Sequence, residues 1–225
     1  MLVALADVLT ADQVAEARRR LEGADWIDGR ATAGHQSVHI KRNRQLPADS
    51  AVGREIGVTI LEALGRSPLF LAAALPLHVL APTFNRYEDG ETYGDHVDTA
   101  MRFLPDGRRM RTDLSCTLFL SDPDTYDGGD LVIEDVFGPR SVKLPAGHMI
   151  LYPSTSVHRV TPVTRGVRLA SFFWLQSLIR EASHRALLFE MDTAIQRLGA
   201  DRPNDPSVVK LSGVYHNLLR LWGEV

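Results

Sequence analysis

Cysteine is almost absent from this sequence, since Cys116 is the only one in 225 residues. A single thiol excludes an internal disulfide framework and any zinc site made of cysteines alone. Aromatic residues are also few, at 7%, whereas 44% of the residues are hydrophobic and 24% are charged. This is the composition of a water-soluble globular protein, and the chain is long enough to bury a core without a disulfide or a metal.

Neither sign of charge dominates, because the sequence has 25 Lys and Arg residues and 28 Asp and Glu residues, for a formal net charge of −3. A nucleic-acid partner, which requires a broad basic surface, is therefore not expected. The longest apolar run, Leu69 to Leu77, is too short to span a membrane. The first residues include Asp7 and Asp12 and lack the basic and apolar regions of a signal peptide. We expect a cytoplasmic protein that does not bind a membrane.

Helical patterns occupy both ends of the sequence. Thr10 and Gln13 have the spacing of a capping box, and apolar residues then recur at helical intervals up to Gly23. Between the first two helices a strand is expected over residues 37–46, with His35 and His39 at the surface. The predicted helices cover residues 11–23, 50–64, 179–198 and 207–222.

The middle of the chain has a β pattern. Short β-rich runs are separated by turn signals such as Asp127-Gly128-Gly129 and Pro145-Ala146-Gly147. No helical pattern between them is long enough for a parallel crossover, so the sequence predicts an antiparallel roll. The seven predicted strands cover residues 77–86, 114–120, 129–134, 141–144, 148–152, 156–160 and 167–175. We therefore expect a core over 77–177, an N-terminal segment over 1–76 packed on it, and a C-terminal helical subdomain over 178–225.

Two histidines and an aspartate have the pattern of a metal site. His96 and Asp98 are two residues apart, so on an extended segment both side chains point to the same face. His158, in a later β-type run, is the best candidate for a third ligand. Two imidazoles and one carboxylate on one face of a metal leave positions open for substrates, as in non-haem Fe(II) oxygenases.

Arg168 lies in a strand pattern with apolar neighbours on both sides. A guanidinium is costly to bury there unless it meets a carboxylate, which it can bind through two parallel hydrogen bonds. A dicarboxylate cosubstrate would provide that carboxylate if its other end were on the metal. A structural ion pair with an internal Asp or Glu is the alternative.

Several motifs together resemble one family, the prolyl-4-hydroxylase-like Fe(II)/2-oxoglutarate dioxygenases. They are Tyr87-x-x-Gly90-x-x-Tyr93-x-x-His96-x-Asp98, Gly128-Gly129-Asp130-Leu131, Pro145-Ala146-Gly147, His158-x-Val160 and Arg168. Within this family the sequence resembles the bacterial PKHD-type hydroxylases. The closer resemblance depends on two further stretches, Phe173-Trp174-Leu175-Gln176-Ser177 and Gly213-Val214-Tyr215-His216-Asn217-Leu218-Leu219-Arg220.

The resemblance implies a fold, cofactors and residue roles. His96, Asp98 and His158 would bind Fe(II), and Arg168 would bind the far carboxylate of 2-oxoglutarate. Tyr87 resembles a tyrosine that helps to hold this cosubstrate. O2 would be the second cosubstrate and L-ascorbate an auxiliary reductant. The family fold is a double-stranded β-helix, or jelly roll, which agrees with the predicted roll and its flanking helices. The reaction would be hydroxylation with release of succinate and CO2.

Two other functions remain open on the residues alone. One is a metal-binding jelly roll that senses or stores a ligand without oxidising it, and this would have no need of a buried Arg168. The other is a hydrolase with a metal-bound water, in which Glu91 or Asp95 would have to act as general base.

The substrate and the oligomeric state are also left open. An amino acid, a peptide or a small metabolite would each fit, because the metal site constrains the oxidant more than the molecule oxidised. The basic segment from Arg102 to Arg111 is expected to be a solvated loop, with a lid for an acidic substrate as the alternative. The apolar C-terminal helices allow either packing within the chain or a homo-oligomer.

Overall fold

The computed structural model describes residues 1–32 and 38–224, so His35 and Ser37 lie outside the described residues. Within the described ranges, three α-helices precede the main run of strands and two follow it. They are α1 (Ala11–Glu22), α2 (Ala51–Gly65), α3 (Pro68–Ala74), α4 (Ala182–Asp201) and α5 (Pro206–Trp222).

The predicted helices are confirmed, and their caps explain where they begin. The Thr10 side chain accepts from the Gln13 backbone N–H, and the Gln13 side chain accepts from the Thr10 N–H, which completes the capping box of α1. Ser50 caps α2 in the same way by accepting from the Gly53 N–H. Helix α3 was not predicted. Its seven residues are all apolar or proline and carry no helical periodicity, and the Ser67 cap alone signals its start.

The strands form antiparallel pairs throughout the described part of the chain. In chain order they are β1 (Val3–Leu5), β2 (Ile27–Asp28), β3 (Lys41–Arg42), β4 (Arg44–Gln45), β5 (Pro76–Val79), β6 (Thr83–Tyr87), β7 (Thr92–His96), β8 (Met101–Phe103), β9 (Arg109–Arg111), β10 (Leu114–Phe119), β11 (Asp127–Gly128), β12 (Leu131–Asp135), β13 (Gly138–Val142), β14 (Met149–Pro153), β15 (His158–Val160), β16 (Val163–Arg165) and β17 (Arg168–Ser177).

Two sheets make up the roll. The larger has the order β1-β14-β10-β17-β6-β4-β2, with β5 also paired to β17, and the smaller has the order β13-β12-β15-β7-β3. Strands β8 and β9 form a separate hairpin, and β11 pairs with β16. The predicted antiparallel roll with helices at both ends is confirmed. Strands from the first 76 residues extend both of its sheets.

Several details of the predicted strands were wrong. Within the described residues, the strand expected over 37–46 is two short strands, β3 and β4, which belong to different sheets. The predicted strand over 77–86 is two strands, β5 and β6, and Pro82 between them has no N–H to give to a ladder. Strand β7 was not predicted because its residues, from Thr92 to His96, are polar and half-buried and show no alternation. The basic segment expected to be a loop contains the β8–β9 hairpin, in which Met101 pairs with Arg111.

The alternation of side chains along β17 separates a core from a cavity. Leu169, Phe173 and Leu175 are buried in a cluster that also holds the apolar faces of α1, α2 and α3. On the intervening positions, Arg168 and Trp174 line a cavity between the two sheets. The two residues are six positions apart, and on a strand an even separation places both side chains on the same face.

Helices α4 and α5 pack on each other beyond the end of β17. Their shared cluster is built on Leu188, Ile195 and Tyr215 and includes Ile179 and Leu75. Arg185 links α4 to the segment that follows β17, because its buried guanidinium donates to the backbone oxygen of Ile179 at 2.6 Å. No single helix within the described ranges has the length and apolar character needed to cross a bilayer. Helices α2 and α3 meet both criteria only when taken together, and that pair is bent by 85°.

Candidate active site

Three possible metal ligands converge at one end of the cavity. His96 ends β7 and is paired directly with His158 at the start of β15, while Asp98 lies two residues beyond β7. One ligand atom from each residue can be chosen so that all three lie within 4.8 Å of one another. The Asp98 Oδ2 atom is 3.7 Å from the His158 Nε2 atom. The two histidines and the aspartate picked out from the sequence are therefore brought together.

The backbone orients both imidazole rings. The Nδ1 atom of His96 lies 2.8 Å from the Gly94 carbonyl oxygen, and that of His158 lies 3.0 Å from the Ser156 carbonyl oxygen. A proton on Nδ1 donates to the carbonyl and leaves the Nε2 lone pair for a metal. Tyr93 stacks on the His96 ring at 3.6 Å. Burial, followed by the neighbouring His158, lowers the pKa of His96 to about 4, which keeps the ring neutral as a ligand must be.

Asp98 is held by Ser115, which is itself bonded to Ser154, and sequence reasoning missed both serines. The Ser115 hydroxyl donates to Asp98 Oδ2 at 2.6 Å, and the Ser154 hydroxyl lies 2.7 Å from that of Ser115. Both serines are buried. The two serines are 39 residues apart in sequence, so no local signal could have identified them.

The cavity has a volume of about 810 Å³ and contains Arg168 as well as the three ligands. Arg168 is only 1% exposed. Its Nε donates to the Gly129 carbonyl oxygen at 2.9 Å, and one terminal nitrogen donates to Asn85 Oδ1 at 3.4 Å. Both of these partners are neutral, and within residues 1–32 and 38–224 no carboxylate forms an ion pair with this guanidinium. The alternative of a structural ion pair therefore has no support there.

Gly129 makes room for Arg168. Its φ of +65° is in the left-handed region, and a Cβ atom at this position would lie 3.0 Å from the Arg168 Cδ and 2.9 Å from the Tyr126 ring. The Gly128-Gly129 turn seen in the sequence therefore has a packing role, since only glycine lets the arginine reach the cavity wall.

Aromatic residues line the cavity around these groups. Tyr87 pairs with Arg168 across β6 and β17, is 1% exposed, and has the guanidinium carbon 5.4 Å from its ring centroid. Burial raises the pKa of Tyr87 to about 12, so its hydroxyl stays protonated and can donate a hydrogen bond. Tyr152 lies edge-on to His158 at 5.2 Å. Cys116 is buried in the cavity wall, where burial raises the pKa of its thiol well above the ordinary value.

The donors fit Fe(II) and 2-oxoglutarate. Two imidazoles and one carboxylate are the set that non-haem iron prefers. Arg168, a buried cation without a charged partner in the described part of the chain, can bind a carboxylate of a ligand in the same cavity.

The residues named for a hydrolase are not placed for that chemistry. Asp95 is exposed and forms an ion pair with Arg159 at 3.0 Å, and Glu91 accepts a hydrogen bond from the Glu88 N–H. Neither is among the described residues that line the cavity.

Comparison with known proteins agrees with the geometry. The family model described as the 2OG-Fe(II) oxygenase superfamily matches residues 82–176, and the model of the PKHD-type hydroxylase C-terminal domain matches residues 183–224. A PKHD-type hydroxylase of Bordetella pertussis is 58% identical over 100% of both chains.

Solved structures show the fold. A prolyl-4-hydroxylase of Pseudomonas putida has a TM-score of 0.51 and 24% identity over 78% of this chain and 92% of that one. The HygX protein of Streptomyces hygroscopicus, solved with nickel, 2-oxoglutarate and hygromycin B, has a TM-score of 0.53 and 17% identity over 78% of this chain and 82% of that one. At these identities the likeness concerns the fold alone, and it confirms the expected jelly roll.

Proposed function

The chain belongs to the PKHD-type hydroxylases, which are 2-oxoglutarate-dependent hydroxylases, and we propose that His96, Asp98 and His158 bind its Fe(II) while Arg168 binds the far carboxylate of 2-oxoglutarate. One observation carries the proposal. The three ligands and a buried arginine with neutral partners line the same cavity. A metal-binding sensor would have no use for this cation, so the arrangement favours an enzyme.

Each side chain has a distinct task in this proposal. When bound, iron, 2-oxoglutarate and O2 supply the oxidising chemistry that hydroxylates a C–H bond and releases succinate and CO2. In His96 and His158, a proton on Nδ1 donates to a backbone carbonyl and leaves the Nε2 lone pair for the metal. Asp98 supplies the negative charge, and Ser115 fixes the rotation of its carboxylate. The buried walls keep bulk water away from the reacting atoms.

Tyr87 is proposed as a second contact for the cosubstrate. Its ring lies beside the Arg168 guanidinium, and its protonated hydroxyl can donate to the carboxylate that Arg168 binds. This contact would orient 2-oxoglutarate along the cavity rather than supply charge.

Other parts of the proposal rest on the sequence and its resemblance. We propose an amino-acid, peptide or small-metabolite substrate, L-ascorbate as auxiliary reductant, and a cytoplasmic location. We also propose the division into an N-terminal segment over 1–76, a core over 77–177 and a C-terminal helical subdomain over 178–225. A homo-oligomer through the apolar surfaces of α4 and α5 is consistent with the exposure of Val209 and Leu221, at 76% and 74%.

The test is iron-dependent consumption of 2-oxoglutarate, measured as succinate formed. His96→Ala and Asp98→Ala should each abolish it while leaving the circular dichroism spectrum unchanged. His148→Ala is the matched control, because this histidine contacts Asp7 and is not among the cavity-lining residues that the structure describes. Turnover that survives in both ligand variants would contradict the proposal.

A further inference from the structure

Strand β8 turns a charged residue inward and apolar residues outward. Arg102 lines the cavity, whereas its neighbours Met101 and Phe103 are 47% and 68% exposed. Strand alternation places these two on the opposite face from Arg102. The usual arrangement buries the apolar residues, so the reversed one indicates that the cation is needed inside the cavity.

The Arg102 guanidinium is positioned by stacking rather than by a salt bridge. Its central carbon lies 3.6 Å from the centroid of the Trp174 ring. Its Nε atom is buried and has no hydrogen-bond partner, and no carboxylate in the described ranges forms an ion pair with the side chain. Asp98 attracts it at longer range, but the Asp98 carboxylate is occupied by Ser115 and is a proposed metal ligand. A buried N–H group without a partner is costly, and a bound ligand would remove that cost.

The charges that line the cavity favour a negative ligand even after the cosubstrate is bound. Among the described lining residues, Lys41, Arg102 and Arg168 are cationic and Asp98 is the one carboxylate. Fe(II) adds two positive charges, and dianionic 2-oxoglutarate balances these two. An excess of positive charge therefore remains, and within the described residues no carboxylate besides Asp98 lines the cavity to neutralise Arg102.

We propose that Arg102, supported by the Trp174 ring, binds an anionic group of the substrate, a carboxylate or a phosphate, so that the hydroxylated molecule is an acid. This inference rests on the proposed function and narrows its substrate class. The planar guanidinium can give two parallel N–H groups to one oxyanion, and the indole face prevents it from turning away. The anion would fix one end of the substrate while the C–H bond to be hydroxylated faces the metal ligands.

The test uses simple probes, because the substrate is unidentified. Wild-type protein is loaded with redox-silent Ni(II) and saturating 2-oxoglutarate, so that both of those sites are filled. Benzoate, phenyl phosphate and neutral benzamide are then titrated, and tryptophan fluorescence reports binding. Trp174→Phe identifies the part of the signal that comes from Trp174. The variants compared are Arg102→Gln and, as a matched control with the same change in net charge, Arg109→Gln, which alters an exposed arginine of the same hairpin.

We expect benzoate or phenyl phosphate to bind at least about tenfold more tightly than benzamide. Arg102→Gln should lose this preference, while Arg109→Gln keeps it and both variants bind 2-oxoglutarate as the wild type does. Whichever of benzoate and phenyl phosphate binds more tightly indicates whether the anionic group of the substrate is a carboxylate or a phosphate. The inference is overturned if neither anion binds the wild type, if benzamide binds equally well, or if the two variants behave alike. If 2-oxoglutarate itself does not bind, the proposed function fails first, so the two failures can be told apart.

Discussion

The Ser115 hydroxyl donates a hydrogen bond of 2.6 Å to the Oδ2 atom of Asp98, and this bond joins the two sheets of the roll. Asp98 follows β7 of the smaller sheet, whereas Ser115 lies on β10 of the larger one. An ionised carboxylate can only accept hydrogen bonds, so the Ser115 hydroxyl donates one to Asp98. The Ser115 oxygen in turn accepts a hydrogen bond from the Ser154 hydroxyl. The larger sheet thereby fixes the position of a ligand that belongs to the smaller sheet.

Removing this hydroxyl should weaken metal binding without unfolding the protein. We expect Ser115→Ala to lower the affinity for Fe(II) or Co(II) by about 10-fold to 100-fold, the usual effect of losing a group that orients a ligand. Anaerobic competition with a chelating dye measures it. Ser121→Ala is the control, because Ser121 is equally buried but its hydroxyl bonds the Val167 carbonyl oxygen. Equal metal affinities in the two variants would show that Ser115 has no such role.

Arg168 should determine the affinity for 2-oxoglutarate. Arg168→Gln removes charge-assisted hydrogen bonds worth about 1.5–3 kcal/mol each, so the Kd for 2-oxoglutarate should rise by about tenfold or more. Calorimetric titration of the metal-loaded protein measures this constant. Arg165→Gln is the matched control, since Arg165 is exposed and paired with Asp127. An unchanged constant in Arg168→Gln would place the carboxylate anchor elsewhere.

The buried Lys41 should make stability depend on pH. Burial, with a smaller contribution from nearby Arg102, lowers its pKa from 10.5 to about 8. Between pH 8 and 10.5 the unfolded chain holds this proton and the folded chain does not, so stability rises with pH in that window. Relative to Lys41→Met, the wild type should gain about 3 kcal/mol in free energy of unfolding across it. Urea unfolding at pH 7.5 and 10.5 measures the gain. A difference between the two proteins that stays constant with pH would contradict the shift.

The packing of α4 can be tested with two adjacent leucines. Leu188 is 1% exposed and Leu187 is 55% exposed. Leu188→Ala should lower the free energy of unfolding by about 2–5 kcal/mol, because it leaves a cavity in the cluster between α4 and α5. Leu187→Ala should cost less than about 1 kcal/mol in the monomer. A large and concentration-dependent loss in Leu187→Ala would instead indicate that this face of α4 is buried between subunits.

The sequence was most informative where local chemistry decides the structure. The Thr10 and Ser50 caps set the starts of α1 and α2, and the β pattern after residue 77 indicated the roll. The His-x-Asp pair, His158 and Arg168 were identified because the chemistry of a ligand set and a buried cation depends on residue type. The structure brings these four residues into one cavity, and their roles there stay a prediction.

What the sequence missed depends on contacts between distant segments. Ser115 and Ser154 acquire their role only when β10 and β14 pair beside Asp98. Strand β7 has no apolar alternation, because Tyr93 and His96 line the polar cavity while Asp95 is exposed and paired with Arg159. The inward position of Arg102 follows from the β8–β9 hairpin and from Trp174, which lies far away in the chain.

The central claim is that the two histidines and Asp98 hold Fe(II) in the cavity where Arg168 binds 2-oxoglutarate. Anaerobic addition of 2-oxoglutarate to the Fe(II) protein, followed by visible absorption, tests it most directly. We expect the weak charge-transfer band of the chelate in the wild type, no band in Asp98→Ala, and a band that needs more 2-oxoglutarate in Arg168→Ala. Stoichiometric iron binding by the wild type without any band would contradict the account.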